Sequence, residues 1–97
     1  MDAYLEVFGP EVSGRVPLDG DRLTIGRDRA NDIVLPDDLR VSRRHAVLER
    51  LAAGWSVSDL DSTNGTLVNH QFLTQPRPLY PGDEIEVGET RLVYREG

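Results

Sequence analysis

Turn-forming residues interrupt this chain about every 8–12 residues, a spacing that suits strands and turns but leaves little room for helices of ordinary length. Gly9-Pro10, Asp19-Gly20, Pro36, Ala53-Gly54, Asn69-His70, Pro81-Gly82 and Gly88-Glu89 mark the breaks. The segments between them are short, β-branched and often alternating, and none sustains a helical period. Strands are expected over Ala3–Phe8, Arg15–Leu18, Arg22–Ile25, Ile33–Leu35, His45–Leu51, Trp55–Leu60, Thr66–Val68, Gln71–Leu73, Glu84–Val87 and Thr90–Arg95. Asp19-Gly20 is expected to join the second and third as a hairpin, because both residues tolerate positive φ. Along Trp55–Leu60, Trp55, Val57 and Leu60 should look inward, and Ser56 and Ser58 outward. Gln75-Pro76-Arg77-Pro78 reads as a stiff surface connection, and Pro81-Gly82 as the centre of a type II turn. The pattern predicts an all-β chain, an antiparallel sandwich or barrel.

With 97 residues there is enough chain for one core and not for two. The absence of cysteine excludes disulfides and thiolate metal sites. Met1-Asp2-Ala3-Tyr4 lacks the basic and apolar regions of a signal peptide. No apolar run is long enough to cross a bilayer as a helix, so a cytoplasmic domain without direct membrane contact is expected. The formal net charge of −6 argues against nucleic acid as a partner. That charge is unevenly spread. Between Gly26 and Arg44 five arginines stand against four aspartates, whereas the remainder has six arginines and thirteen acids. An acidic body therefore carries one locally basic corner. There is no lysine; arginine suits bidentate contact with phosphate or carboxylate, and its exclusive use also fits the codon bias of a GC-rich bacterial genome.

The basic corner centres on Leu39-Arg40-Val41-Ser42-Arg43-Arg44-His45. Ser42 and His45 are three residues apart, so on an extended chain they face opposite sides. No glycine elbow surrounds the serine, and the pair does not read as nucleophile and base. His45 reads instead as a buried histidine hydrogen-bonded to loop backbone. His45 and His70, without clustered carboxylates, do not make a metal site. Asp59–Gly65 superficially resembles a calcium loop, but with Asp59 first the required glycine falls on Asn64 and the closing glutamate on His70. No catalytic group, metal or cofactor is expected. Gly26 reads as a place for a backbone bend or the close approach of a neighbour, and Asn64-Gly65 as a tight turn.

Taken in order, Gly26-Arg27, Ser42-Arg43-Arg44-His45, Ser62-Thr63-Asn64-Gly65-Thr66 and Asn69 resemble the pattern of forkhead-associated (FHA) domains. With the flanking strands, the resemblance covers essentially the whole chain. It implies an antiparallel β-sandwich of ten to eleven short strands, a single domain over 1–97 excised from a longer protein. It also implies a phosphothreonine peptide bound by loops 26–32, 36–45 and 60–69 at one end. Carried over by position, Arg27 and Ser42 would contact the phosphate, and Arg43 would add a further contact. Thr63 would supply a hydroxyl, and Asn64 would hold the peptide backbone beside the phosphothreonine. Gly26, His45, Gly65 and Asn69 match structural positions. Arg40 occupies a place that can read the third residue after the phosphothreonine, and its charge would favour an acidic one. The implied partner is a phosphothreonine-containing protein, a Ser/Thr kinase or its substrate. Two other uses of such a fold stay open at this point: a phosphate-independent structural or oligomerisation surface, and a phospho-switch closing on the protein's own tail.

Overall fold

The alternating apolar positions of the sequence meet across two facing sheets in the computed structural model, which describes residues 2–97. Met1, the first residue of the amino-terminal stretch read above, lies outside the described residues. The strands are β1 (Ala3–Phe8), β2 (Ser13–Pro17), β3 (Arg22–Gly26), β4 (Ile33–Val34), β5 (Ala46–Leu51), β6 (Gly54–Asp59), β7 (Thr66–Val68), β8 (Gln71–Phe72), β9 (Arg77–Pro78), β10 (Glu84–Val87) and β11 (Thr90–Glu96). A six-stranded sheet runs in the order β2-β1-β11-β10-β7-β8, and a five-stranded sheet in the order β4-β3-β5-β6-β9. Neighbouring strands are antiparallel with one exception, β4 lying parallel to β3.

Leu5, Ile85, Leu92 and Tyr94 of the first sheet and Ile25, Leu48 and Val57 of the second belong to one apolar cluster, each at most 1% exposed. Burying each large aliphatic side chain contributes about 1.5–3 kcal/mol, which is why the alternation dictates which strand faces point at each other. Three turns have the geometry their residues demand. Asp83 N–H donates to Tyr80 O (2.9 Å) across Pro81-Gly82, with Gly82 at φ 94°. Asn69 (φ 50°) and His70 (φ 68°) form the two-residue, left-handed connection from β7 to β8, as a type I′ hairpin needs. Gly88 (φ 58°) turns β10 into β11.

Four sequence expectations need correction. Asp19-Gly20 does not close a hairpin: β2 pairs with β1, whereas β3 pairs with β4 and β5. The turn carries the chain from one sheet to the other, and the buried Leu18, whose N–H donates to Ala3 O (3.0 Å), anchors the crossing. The stiff connection at Gln75–Pro78 contains a strand, with Pro78 opposite Ser56 and Arg77 opposite Val57. Proline fits there because β9 is an edge strand. Ser56, expected outward, is buried, and Leu60, expected inward, lies beyond the end of β6 and is only half-buried.

Candidate functional site

β3 ends at Gly26 because the next loop has to press against it. A Cβ on Gly26 would collide with the carbonyl oxygen of Arg43 and with the Asn31 side-chain amide. The close approach inferred from sequence is therefore present, and its neighbour is the basic loop itself. Arg27 N–H donates to Ser42 O (3.0 Å) and Asp28 N–H to Arg43 O (3.2 Å). The Arg27 guanidinium is fixed along one edge by Nε donating to Val41 O (3.1 Å). Its two terminal nitrogens have no protein partner among the described residues and remain free to donate.

His45 is fully buried and ties two loops together. Its Nδ1 accepts from Ser42 N–H (3.0 Å), and its Nε2 lies 2.8 Å from Gly65 O. A backbone N–H can only donate and a carbonyl can only accept, so the ring is the neutral tautomer protonated at Nε2. The Ser42–His45 contact thus runs through the serine backbone, and the hydroxyl has no base beside it. His45 therefore does not serve as a base for the Ser42 hydroxyl.

The Ser42 hydroxyl instead accepts from Thr63 N–H (2.9 Å). Asn64 Nδ2 donates to Arg40 O (2.8 Å). These two bonds join the loop before β5 to the loop after β6. Arg40, Arg43, Thr63 and Asn64 are exposed around the junction, and Ser42 and Arg27 are half-buried at its centre. The site is an open shelf of donors on the loop end of the sandwich. Asn64-Gly65 is the expected turn, with Gly65 at φ 84°.

The FHA domain family model matches residues 23–88, which span the strands and loops just described. The chain belongs to the FHA family. It is 44% identical over 92 residues to the oxoglutarate dehydrogenase inhibitor of Corynebacterium diphtheriae, a match covering 92% of this chain and 61% of that protein. It is 39% identical over 89 residues to the glycogen accumulation regulator GarA of Mycolicibacterium smegmatis, covering 92% of this chain and 55% of that one. The chain thus spans less than two thirds of the length of the curated relatives it matches. A solved structure from work on phosphothreonine-dependent FHA domain interactions superposes with a TM-score of 0.89 at 30% identity, covering 100% of this chain and 98% of that one.

Three residues to which the sequence assigned no part in the site, Asp59 among them after its rejection as a calcium ligand, hold the loops in place. Asp38 is 2% exposed; its carboxylate accepts from Thr90 Oγ1 (2.7 Å), Glu89 N–H (2.8 Å) and Arg40 N–H (3.1 Å). It pins the arginine loop to the β10–β11 turn. Asn31 Nδ2 donates to Arg43 O (2.6 Å) and Asp28 O (2.7 Å), joining the Arg27 loop to the Arg43 loop. Asp59 accepts from Ser62 Oγ (2.5 Å), Ser62 N–H (3.0 Å) and Thr66 Oγ1 (2.7 Å), and Ser62 Oγ in turn accepts from Gly65 N–H (2.9 Å). Burial pushes the Asp59 carboxyl up, but the bonds from Ser62 and Thr66 outweigh it and hold the group below its ordinary value. The signal was present in the sequence as Asp and Asn placed at a strand end or in the connections, where they cap turns.

Asn69 lies apart from the others. It sits beyond the opposite end of β7, where its Oδ1 accepts from Glu84 N–H (3.0 Å) and its Nδ2 donates to Asp83 Oδ1 (3.0 Å). Its left-handed backbone and these bonds fix the start of β10.

Proposed function

We propose that this FHA domain recognises phosphothreonine in a partner protein within Ser/Thr kinase signalling, without catalysing a reaction itself. The observation that carries the reading is the pre-set donor cluster at Arg27, Ser42 and Thr63. Thr63 N–H occupies a lone pair of the Ser42 oxygen, which leaves the hydroxyl proton to point at an incoming acceptor. Arg27, held by Nε on the carbonyl of Val41, the residue before Ser42, keeps its terminal nitrogens to donate. A phosphate brings about −1.5 to −2 charges and three strong acceptor oxygens, matching such a cluster in sign and in number of bonds. Each charge-assisted bond contributes about 1.5–3 kcal/mol.

Asn64, with Nδ2 anchored on Arg40 O, keeps its Oδ1 for the N–H of an extended peptide. Arg43 lies close enough in sequence and loop to add to the phosphate contact. The free guanidinium of Arg40 would select an acidic third residue after the phosphothreonine. Because the loops are cross-braced before any ligand arrives, little ordering cost accompanies binding. The acidic body, with six arginines against thirteen acids outside residues 26–44, would repel phosphoproteins elsewhere on the surface and favour approach at the arginine corner.

The relatives named above, an inhibitor and a regulator, fit a cytoplasmic module that acts by docking. The test is calorimetric titration with a threonine peptide library in phosphorylated and unphosphorylated form. Binding confined to the phosphorylated set, with an acidic preference at the third position that Arg40→Ala removes, is the expected result. Equal binding of both sets, or no binding by the folded domain, would contradict it.

A further inference from the structure

Beside the phosphate-facing shelf stands an apolar group that the preceding roles do not use. Phe72 is 66% exposed. A lone exposed aromatic needs no explanation by itself; this one is distinguished by where its ring is lodged. A Cβ on Gly65 would lie 2.8 Å from Phe72 Cε1 and 2.9 Å from Cδ1. The ring therefore lies over the residue next to Asn64, a position whose φ of 84° favours glycine and where a Cβ would displace the ring.

The ring's position is set by β7, the strand that follows the loop carrying Thr63 and Asn64. Phe72 is in register with Leu67, and Leu73 N–H donates to Thr66 O (2.9 Å). β8 is the outermost strand of its sheet, so no further strand covers it. Phe72 also lines a shallow groove with Thr74, Pro76 and Arg77. The Phe72 ring thus lies against the residue next to Asn64 and also borders an open groove.

Resting on the phosphothreonine reading, we propose that Phe72 is a specificity-determining residue. It takes an aliphatic side chain (Leu, Ile, Val or Met) from the peptide segment flanking the phosphothreonine, where that segment leaves Asn64 and crosses Gly65. The preferred ligand then combines one phosphate with one aliphatic residue at a fixed separation. Removing an aliphatic side chain from water against the Phe72 ring is worth about fivefold to tenfold in affinity.

The experiment is a positional scan of synthetic phosphothreonine peptides, with Gly, Ser or Leu placed at each of the flanking positions in turn. It is run on the wild type, Phe72→Ser, Phe72→Gln and Phe72→Leu. One position should favour Leu over Ser about fivefold to tenfold in the wild type. The preference should vanish in both polar variants and return in Phe72→Leu. The glycine-flanked phosphopeptide should bind all four proteins within about twofold, which reports an intact phosphate site. A preference that survives in Phe72→Ser and Phe72→Gln, or the absence of any aliphatic preference in the wild type, would overturn the proposal. Failure of the phosphothreonine reading has a separate signature, equal binding of the unphosphorylated glycine-flanked peptide, and would overturn both.

Discussion

The hydroxyl oxygen of Ser42 accepts the backbone N–H of Thr63 at 2.9 Å, twenty-one residues further along the chain. That bond sets the direction of the serine proton and locks together two loops that leave different strands. Beneath it the buried His45 repeats the brace, from Ser42 N–H to Gly65 O. The site is thus built from backbone geometry as much as from side chains, and its predicted sensitivities follow from that.

Replacing Gly26 by alanine should destabilise the fold without touching a ligand-facing group. The new Cβ meets a backbone carbonyl, Arg43 O, and the Asn31 amide, and neither can swing away as a flexible side chain would. A cost of about 2–3 kcal/mol is expected, at the upper end for overpacking. For a domain of this size that is about 10–20 °C in Tm. Thermal denaturation checks it, and an unchanged Tm would refute the close packing described.

Asp38→Ala should both destabilise the domain and weaken peptide binding, because it releases the arginine loop and leaves Glu89 N–H and Thr90 Oγ1 without their acceptor. A loss of about 1–3 kcal/mol is expected, chiefly from the buried Thr90 hydroxyl left unsatisfied. Combined with Thr90→Val, the double variant should lose less than the sum of the two single ones. Strict additivity by chemical denaturation would show that the pair does not interact.

Acid should loosen the loop after β6. Asp59 is raised by burial but lowered further by its bonds from Ser62 and Thr66, and the net value lies below 3.8. A carboxyl depressed in the folded state stabilises at pH values above its unfolded pKa, and that contribution disappears as pH falls through the folded value. The stability difference between wild type and Asp59→Asn should therefore be constant near neutral pH and shrink below about pH 4. Urea titrations at stepped pH measure this directly, and a difference that grows in acid would contradict the assignment.

At the alkaline end the same linkage applies to Tyr94. Burial and the hydrogen bond to Glu96 Oε2 (2.8 Å), with the charge of Glu96, push the phenol up to about 12. Raised above its ordinary value of 10.0, the neutral phenol stabilises the fold below that pH. Its contribution is lost as pH rises towards 12. Tyr94→Phe should cost about 1 kcal/mol at neutral pH and flatten the fall in stability between the two values. An equally steep fall in the variant would locate the effect elsewhere.

Much of this molecule was legible in its sequence, and the reasons differ by element. Ala3–Phe8, Thr66–Val68 and Glu84–Val87 were read with their observed limits, because alternation bounded by strong turn residues leaves one solution. Pro81-Gly82 and Asn69-His70 were legible because their conformations suit few other residues. Asp19-Gly20 misled: a turn signal states where the chain reverses, and not whether the next strand joins the same sheet. β9 was hidden because two residues carry no period. The His45 brace could be anticipated, since a buried histidine must satisfy both ring nitrogens. The Asp38–Thr90 bond could not, because the two residues are separated by 52 positions and local sequence does not encode which turns converge. The grouping of Arg27, Ser42 and Asn64 at one end came from resemblance rather than from periodicity.

The most direct test is calorimetric titration of one phosphothreonine peptide, carrying aspartate at the third following position, into the wild type, Arg27→Ala and Ser42→Ala, with the unphosphorylated peptide as reference. Each substitution should weaken binding about tenfold to over a hundredfold, the loss of a charge-assisted bond of about 1.5–3 kcal/mol. Both variants should melt within a few degrees of the wild type, and the unphosphorylated peptide should not bind. If the folded variants bind the phosphopeptide as the wild type does, or if phosphate makes no difference, the loop end of this sandwich is not a phosphothreonine reader.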